Sequence, residues 1–243
     1  MHRKTLLAAW GALALSLVLG TTASASENHY VRVTPGNFLS IFPGGDNRPA
    51  SSYRFVVGPH GQPLGHGSLE LKTVDAAAKQ QHLEYAQQGA LLTSINQLGY
   101  STYSHATSVN PSVVAAINME IFQTGASGYA TLVYEPYLNG DVVPGQWQSW
   151  NADSGKWWSS RANILPGVPA HTPVQWSLIA SGNPQARVIS YGVNQGTANP
   201  STTSNVDALS IGLHGGDRWI YDFEPAGDGN DENGDENDNE DWR

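Results

Sequence analysis

Apolar and polar residues alternate with a period of two along several short segments of this chain. In 218–224 the aromatic residues Trp219, Tyr221 and Phe223 fall on one face, because side chains of an extended chain point alternately to opposite sides. Every second residue of 113–121 is apolar. In 67–73 two leucines alternate with Glu70 and Lys72. Other segments rich in β-branched or aromatic residues are 53–57, 129–134, 187–193 and 206–211. The pattern predicts many short strands, each with one buried face.

Clusters of turn-forming residues separate these segments. Gly, Pro, Asn and Asp gather at 58–61, 139–140 and 182–184, and they predict turns between strands. Helical turns are expected only over 80–88 and 174–180, and neither stretch is long enough to form a helical layer. We therefore predict an all-β protein in which two antiparallel sheets pack as a β-sandwich.

The N-terminal segment 1–26 has the order of a secretory signal peptide. A basic start, His2-Arg3-Lys4, precedes an uncharged apolar stretch at 6–20, and small residues at 23–25 offer a cleavage site. The apolar stretch has about 15 residues, fewer than the roughly 20 that a membrane-spanning helix needs. We expect a secreted, extracellular protein with no stable membrane insertion after signal cleavage. The alternative is an uncleaved membrane anchor.

The rest of the chain is predicted to form a single β-sandwich domain, 27–227, followed by an acidic disordered tail, 228–243. Acidic residues dominate the tail, and their mutual repulsion opposes a packed structure. The chain has 21 acidic residues, 12 basic residues and no cysteine. Because it offers no basic stripe, we expect no nucleic-acid binding. The lack of cysteine excludes thiol catalysis and thiolate metal sites, and we expect neither a metal site nor a cofactor.

The strongest local feature is the group of tryptophans between 147 and 158. Trp157 and Trp158 are adjacent, so in an extended strand their indoles point to opposite faces. An exposed indole is a platform on which the apolar face of a sugar ring stacks, while amide and charged neighbours bind the hydroxyls. The residues expected to bind such a ligand are Trp150, Asn151, Asp153, Trp157, Trp158 and Arg161. The alternative is that loops cover these indoles, since tryptophan is highly buried on average.

An enzymatic alternative depends on paired carboxylates. Glycoside hydrolysis needs two carboxyl groups about 5–10 Å apart, and the sequence offers Glu120 with Glu135, or Asp222 with Glu224. No His-Glu-x-x-His spacing indicates zinc, and Ser101 lacks the second flanking glycine of a nucleophile elbow. No residue is therefore predicted to be catalytic.

Several segments together resemble a group of poorly characterised secreted bacterial proteins with a concanavalin-like jelly-roll sandwich. These segments are Gly99-Tyr100-Ser101-Thr102-Tyr103, Thr131-Leu132-Val133-Tyr134-Glu135-Pro136, Trp147-Gln148-Ser149-Trp150, Trp157-Trp158-Ser159, Gly192-Val193-Asn194-Gln195-Gly196, Val206-Asp207-Ala208-Leu209-Ser210-Ile211-Gly212 and Tyr221-Asp222-Phe223-Glu224-Pro225. The resemblance implies a sandwich of jelly-roll, lectin-like type. It supplies no activity and no catalytic residue.

These observations predict a monomeric, non-catalytic surface or carbohydrate-binding protein whose partner is an extracellular glycan. The ligand expected at the tryptophan-rich segment is a neutral saccharide. Two alternatives stay open. One is an extracellular polysaccharide hydrolase that uses paired carboxylates, and the other is a structural or adhesive cell-envelope protein.

Overall fold

The computed structural model describes residues 27–123 and 128–227. The predicted signal peptide and the predicted acidic tail both lie outside these described residues. The strands are β1 (Asn28–Val33), β2 (Ser51–Val57), β3 (Gly67–Thr73), β4 (Gln80–Glu84), β5 (Ile95–Ser104), β6 (Ala116–Gln123), β7 (Gly128–Tyr134), β8 (Trp147–Asn151), β9 (Lys156–Ser159), β10 (Val174–Gln175), β11 (Arg187–Gln195), β12 (Thr202–Leu213) and β13 (Arg218–Phe223). The two α-helices are short: α1 (Phe38–Ile41) and α2 (Trp176–Gly182).

One sheet has seven strands, and β12 is its central strand. Along one edge β12 pairs with β5, which in turn pairs with β8. Along the other edge β12 changes partner: its first half, 202–206, pairs with β3, and its second half, 209–212, pairs with β13. Strand β2 continues the sheet beyond β3, and β1 continues it beyond β13.

The change of partner on β12 occurs at Asp207 and Ala208. Ala208 has a φ of +53°, a left-handed conformation that interrupts the regular strand. The carboxylate of Asp207 accepts the backbone N–H of Phe223 at 3.2 Å and that of Leu64 at 3.0 Å. Asp207 therefore binds the neighbouring strand and the loop 58–66 at the same point.

The second sheet has six strands in the order β10-β9-β7-β6-β11-β4, and all its pairs are antiparallel. The predicted two-sheet sandwich is confirmed, with one departure from the antiparallel arrangement. Strand β1 runs parallel to β13, with Tyr30 opposite Ile220. No local pattern in the sequence indicated that β1 would pair with β13. The jelly-roll type stays a prediction.

The core lies between the two sheets and is formed by the inward faces of their strands. The seven-stranded sheet contributes Leu71, Leu98, Tyr100, Leu209, Tyr221 and Phe223, and the six-stranded sheet contributes Ile117, Met119, Leu132, Tyr134, Trp157 and Tyr191. Trp219 is partly buried against the same cluster. The predicted common face of Trp219, Tyr221 and Phe223 is therefore confirmed.

One of the two predicted helical turns is present and the other is not. Helix α2 occupies most of 174–180, whereas the first part of 80–88 forms strand β4, whose residues are all buried. Pairing with β11 overrides the local preference there. No helix in the described part of the chain has the length and apolar character needed to cross a membrane.

Candidate functional site

The tryptophan-rich segment crosses from one sheet to the other. Strand β8 is an edge strand of the seven-stranded sheet, and β9 belongs to the six-stranded sheet. The turn Ala152–Ser154 joins the two strands. The residues predicted to bind one ligand are therefore divided between two faces of the sandwich and its core.

Trp157 belongs to the core. Its side chain has no solvent exposure, and its indole N–H donates to the Ala152 carbonyl at 2.7 Å. The rings of Tyr134 and Trp176 pack against it at centroid distances of 5.5 and 5.3 Å. Trp157 was expected to be a ligand-binding residue, and the structure corrects this expectation because no ligand can reach its ring.

Trp158 points to the opposite face, as the alternation of side chains along a strand requires. It is partly exposed, and its indole N–H donates to a carboxylate oxygen of Glu135 at 2.8 Å. Its ring lies 4.9 Å from the ring of His171. The predicted divergence of the two adjacent indoles is confirmed, and of the two it is Trp158 that lines a groove.

A groove on the outer face of the six-stranded sheet surrounds Trp158, and we call it the aromatic groove. It consists of two adjoining cavities of about 380 and 320 Å³, which together fall in the size range of ligand sites. Both cavities are lined by Asn118, Thr131 and Lys79. The aromatic side chains along the groove are Tyr85, Tyr129, Tyr137 and Trp158. Three of these are tyrosines that expose between 39% and 46% of their surface.

Both glutamates of the aromatic groove are held by hydroxyl or indole donors. Glu135 accepts the Tyr137 hydroxyl at 2.9 Å as well as the indole of Trp158. Glu120 accepts the Tyr129 hydroxyl at 2.8 Å and the Ser190 hydroxyl at 2.7 Å. Burial, together with the bond to Glu135, raises the pKa of Tyr137 to about 12, so its hydroxyl stays a proton donor. These contacts orient the rings at the edge of the groove.

Two amide oxygens in the aromatic groove have no hydrogen-bond partner among the described residues. They belong to Asn118, which is only 5% exposed, and to Asn194. A buried acceptor without a partner is costly, and most such groups in folded proteins are satisfied. The terminal torsion of an asparagine side chain is soft, so the amide can turn its oxygen toward a ligand hydroxyl.

Two basic residues at one end of the aromatic groove share one carboxylate. The carboxylate of Asp46 accepts Arg48 at 2.7 Å and Lys79 at 3.2 Å. The hydrogen bond from Arg48 is the main cause of the lowered pKa of Asp46, which keeps the carboxylate charged. This end of the groove therefore keeps one positive charge, and with Glu120 and Glu135 the two cations and three carboxylates that line the groove sum to −1.

The first carboxylate pair proposed for hydrolysis is widely separated along the strands. Glu120 stands opposite Thr131 in the register of β6 and β7, and Glu135 follows four residues later. At about 3.3 Å per residue this is an offset of about 13 Å along the strands, and each carboxylate is held by its own tyrosine. The backbone positions thus lie farther apart than the roughly 5–10 Å between the two carboxyl groups of a glycosidase, and the two carboxylates have no shared partner among the described residues.

The second carboxylate pair lies beneath the loop 58–66. Glu224 is 2% exposed and accepts the backbone N–H groups of His66 and Gly67 at 2.8 and 3.2 Å. Burial, and secondarily the neighbouring Glu224, raises the pKa of Asp222. The geometry assigns Glu224 a structural role at the end of this loop.

Three of the predicted ligand residues border a different cavity, a cleft of about 480 Å³ at the seven-stranded sheet: Trp150, Asn151 and Asp153. The indole of Trp150 faces inward, because it stands opposite Tyr100 and packs against the core. It donates its N–H to the Thr102 hydroxyl at 2.8 Å. Asp153 accepts the backbone N–H of Leu98 at 3.3 Å. These residues therefore do not share a site with Trp158.

Arg161, the sixth predicted ligand residue, is exposed just beyond β9. Its backbone N–H donates to the Ser159 hydroxyl at 3.1 Å. It lies near Tyr129, whose pKa is raised mainly by burial and is lowered in part by the charge of Arg161. It is thus a neighbour of the aromatic groove.

The groove residues that the sequence did not single out are Asn118, Asn194, Tyr129 and Tyr137. Asn118 was recognisable as a polar residue on the outer face of an alternating strand. Nothing local indicated that Tyr137, in the turn after β7, would share an acceptor with Trp158.

Within 27–123 and 128–227, no group of three or more His, Asp or Glu side chains is placed to hold a metal ion. The chain matches no protein-family model, and no curated protein matches it.

Proposed function

We propose that this protein is exported and binds a neutral saccharide, without cleaving it, in the aromatic groove. The observation that carries the proposal is the position of Asn118, a buried amide with an unpartnered oxygen, in a groove bordered by partly exposed rings. A saccharide fits both the amide oxygen and the rings, because its hydroxyls donate to amide oxygens and its C–H faces pack on aromatic rings.

The charges in the groove support a neutral ligand. Arg48 and Lys79 share Asp46, while Glu120 and Glu135 are each hydrogen-bonded to two neutral donors. The two cations and three carboxylates that line the groove give it a net charge of −1, which disfavours a strongly anionic ligand. We propose binding without cleavage because the backbone positions of Glu120 and Glu135 are offset by about 13 Å along the strands.

The experiment is a glycan array of neutral oligosaccharides, followed by calorimetry with the best ligand on the protein without residues 1–26. We expect Trp158→Ala to weaken binding about tenfold, which corresponds to the loss of one ring contact. Asn118→Ala should weaken binding by a similar factor, because it removes the unpartnered acceptor.

Tyr30→Ala is the matched control, since Tyr30 is an exposed aromatic residue on the other sheet. It should leave the affinity for the neutral ligand unchanged. The proposal fails if no neutral oligosaccharide binds, or if the two groove variants bind as tightly as the wild type. Near-ultraviolet circular dichroism of each variant separates loss of the site from loss of the fold.

A further inference from the structure

The cleft on the outer face of the seven-stranded sheet has the features of a second ligand site. We call it the serine cleft, after three residues on its surface, Ser101, Ser149 and Ser210. Its volume of about 480 Å³ lies within the range of small-molecule sites. The two sheets and the core separate it from the aromatic groove.

The surface of the serine cleft is rich in hydroxyl groups. The hydroxyls of Ser101 and Ser149 lie 2.8 Å apart and bond to each other. A hydroxyl has one proton and two lone pairs, so this pair keeps capacity for a further polar ligand. Gly99 stands beside these residues on β5, opposite Asn151 of β8. Because glycine has no side chain, room is left between the two serine hydroxyls and the amide of Asn151.

Apolar surface borders the same cleft. Tyr30 on β1 is 66% exposed, and Pro63 and Leu64 line the cleft from the loop 58–66. That loop is fixed in place, since Trp147 donates its indole N–H to the Pro59 carbonyl at 2.9 Å and Leu64 donates its backbone N–H to Asp207. This loop forms one wall of the serine cleft, and contacts on both sides of Pro63 hold it in place.

Arg218 gives the serine cleft a positive charge. Its Nε has no hydrogen-bond partner among the described residues, and its Nη2 reaches the Ser210 hydroxyl only at 3.4 Å. The ion pairs formed within 27–123 and 128–227 do not include Arg218: the adjacent Asp217 pairs with His29 at 3.1 Å. The acid that lines the same cleft, Asp153, accepts a backbone N–H. The guanidinium charge is thus not neutralised by a direct partner.

We propose that the serine cleft binds a saccharide residue that carries a carboxylate, a uronic acid. In this arrangement Arg218 binds the carboxylate, since guanidinium–carboxylate bonds are among the strong hydrogen bonds of proteins. Ser101 and Ser149 bind ring hydroxyls, and Tyr30 packs on the apolar face. The inference shares with the proposed function only the saccharide class of the ligand, because no residue of the aromatic groove takes part.

The test is calorimetry with trisaccharides of galacturonate, glucuronate and mannuronate, each beside its carboxyl-reduced counterpart. At least one uronate should bind, and its reduced counterpart should bind about tenfold more weakly or worse, as expected for the loss of a charge-assisted hydrogen bond. Arg218→Gln should reduce the affinity for the uronate to that of the reduced sugar, and Tyr30→Ala should weaken both.

Trp158→Ala is the control and should leave uronate binding unchanged. The inference is overturned if no uronate binds, if carboxyl reduction has no effect, or if Trp158→Ala abolishes binding that Arg218→Gln preserves. Failure here is distinguishable from failure of the proposed function, because Trp158→Ala and Asn118→Ala report on the aromatic groove, whereas Arg218→Gln reports on the serine cleft. Thermal melting of Arg218→Gln shows whether a loss of binding reflects the cleft or the fold.

Discussion

The carboxylate of Asp207 accepts the backbone N–H of Leu64 at 3.0 Å, although 143 residues separate the two positions. Asp207 is fully buried and also holds Phe223 of β13. One side chain thus joins the wall of the serine cleft to the central strand of its sheet. Burial raises the pKa of Asp207 to about 7.

Asp207→Ala should lower the free energy of unfolding by about 2 kcal/mol, because the buried backbone N–H of Phe223 and the partly buried one of Leu64 lose their acceptor. The amide of Leu64 should exchange with deuterium faster, while amides of the six-stranded sheet keep their relative protection. Hydrogen exchange read by mass spectrometry at pH 5 measures both. Asp141→Ala, at an exposed position, is the control. Unchanged exchange at Leu64 would show that other contacts hold the loop.

The two adjacent tryptophans should respond very differently to truncation. Trp157→Ala should cost about 3–5 kcal/mol of unfolding free energy, since it empties a large volume in the core. Trp158→Ala should cost about 1 kcal/mol, because it removes a partly exposed ring and one hydrogen bond. Urea denaturation of both variants measures the difference. Equal losses of unfolding free energy would mean that Trp158 is also part of the core and is not available to bind a ligand.

Glu84 makes the stability of the protein depend on pH. Burial raises the pKa of this carboxyl to about 7, against a smaller opposing effect of the Ala86 backbone N–H. The folded state therefore binds the proton more tightly than the unfolded state. Its stabilising contribution is complete below the ordinary glutamate pKa, about 4.3, and is lost as the pH rises through about 7.

Glu84→Gln removes this titration, so the variant should gain stability relative to the wild type between pH 5 and pH 8. Thermal or urea denaturation at both pH values measures the change. His82 acts in the opposite direction, because burial lowers its pKa to about 4, but it is present in both proteins and cancels in the comparison. A stability difference that is the same at both pH values would contradict the assigned titration.

The local pattern of the chain determined the direction of many side chains. The common buried face of Trp219, Tyr221 and Phe223, and the divergence of Trp157 from Trp158, both follow from the alternation of side chains along a strand. That alternation depends only on neighbouring residues. For this reason the sequence predicted strands and buried faces, and with them a two-sheet sandwich.

Only the tertiary structure decided which strands pair and which faces meet. Strands β8 and β9 are close in sequence but join different sheets, so Trp150 packs against the core while Trp158 lines the outer face of the other sheet. The meeting of Trp158 with Tyr137 at one carboxylate, and the burial of Asp207 beneath a distant loop, depend on the same pairings. Strand pairing joins segments far apart in the chain, and its free energy comes from packing that no local pattern of residues records.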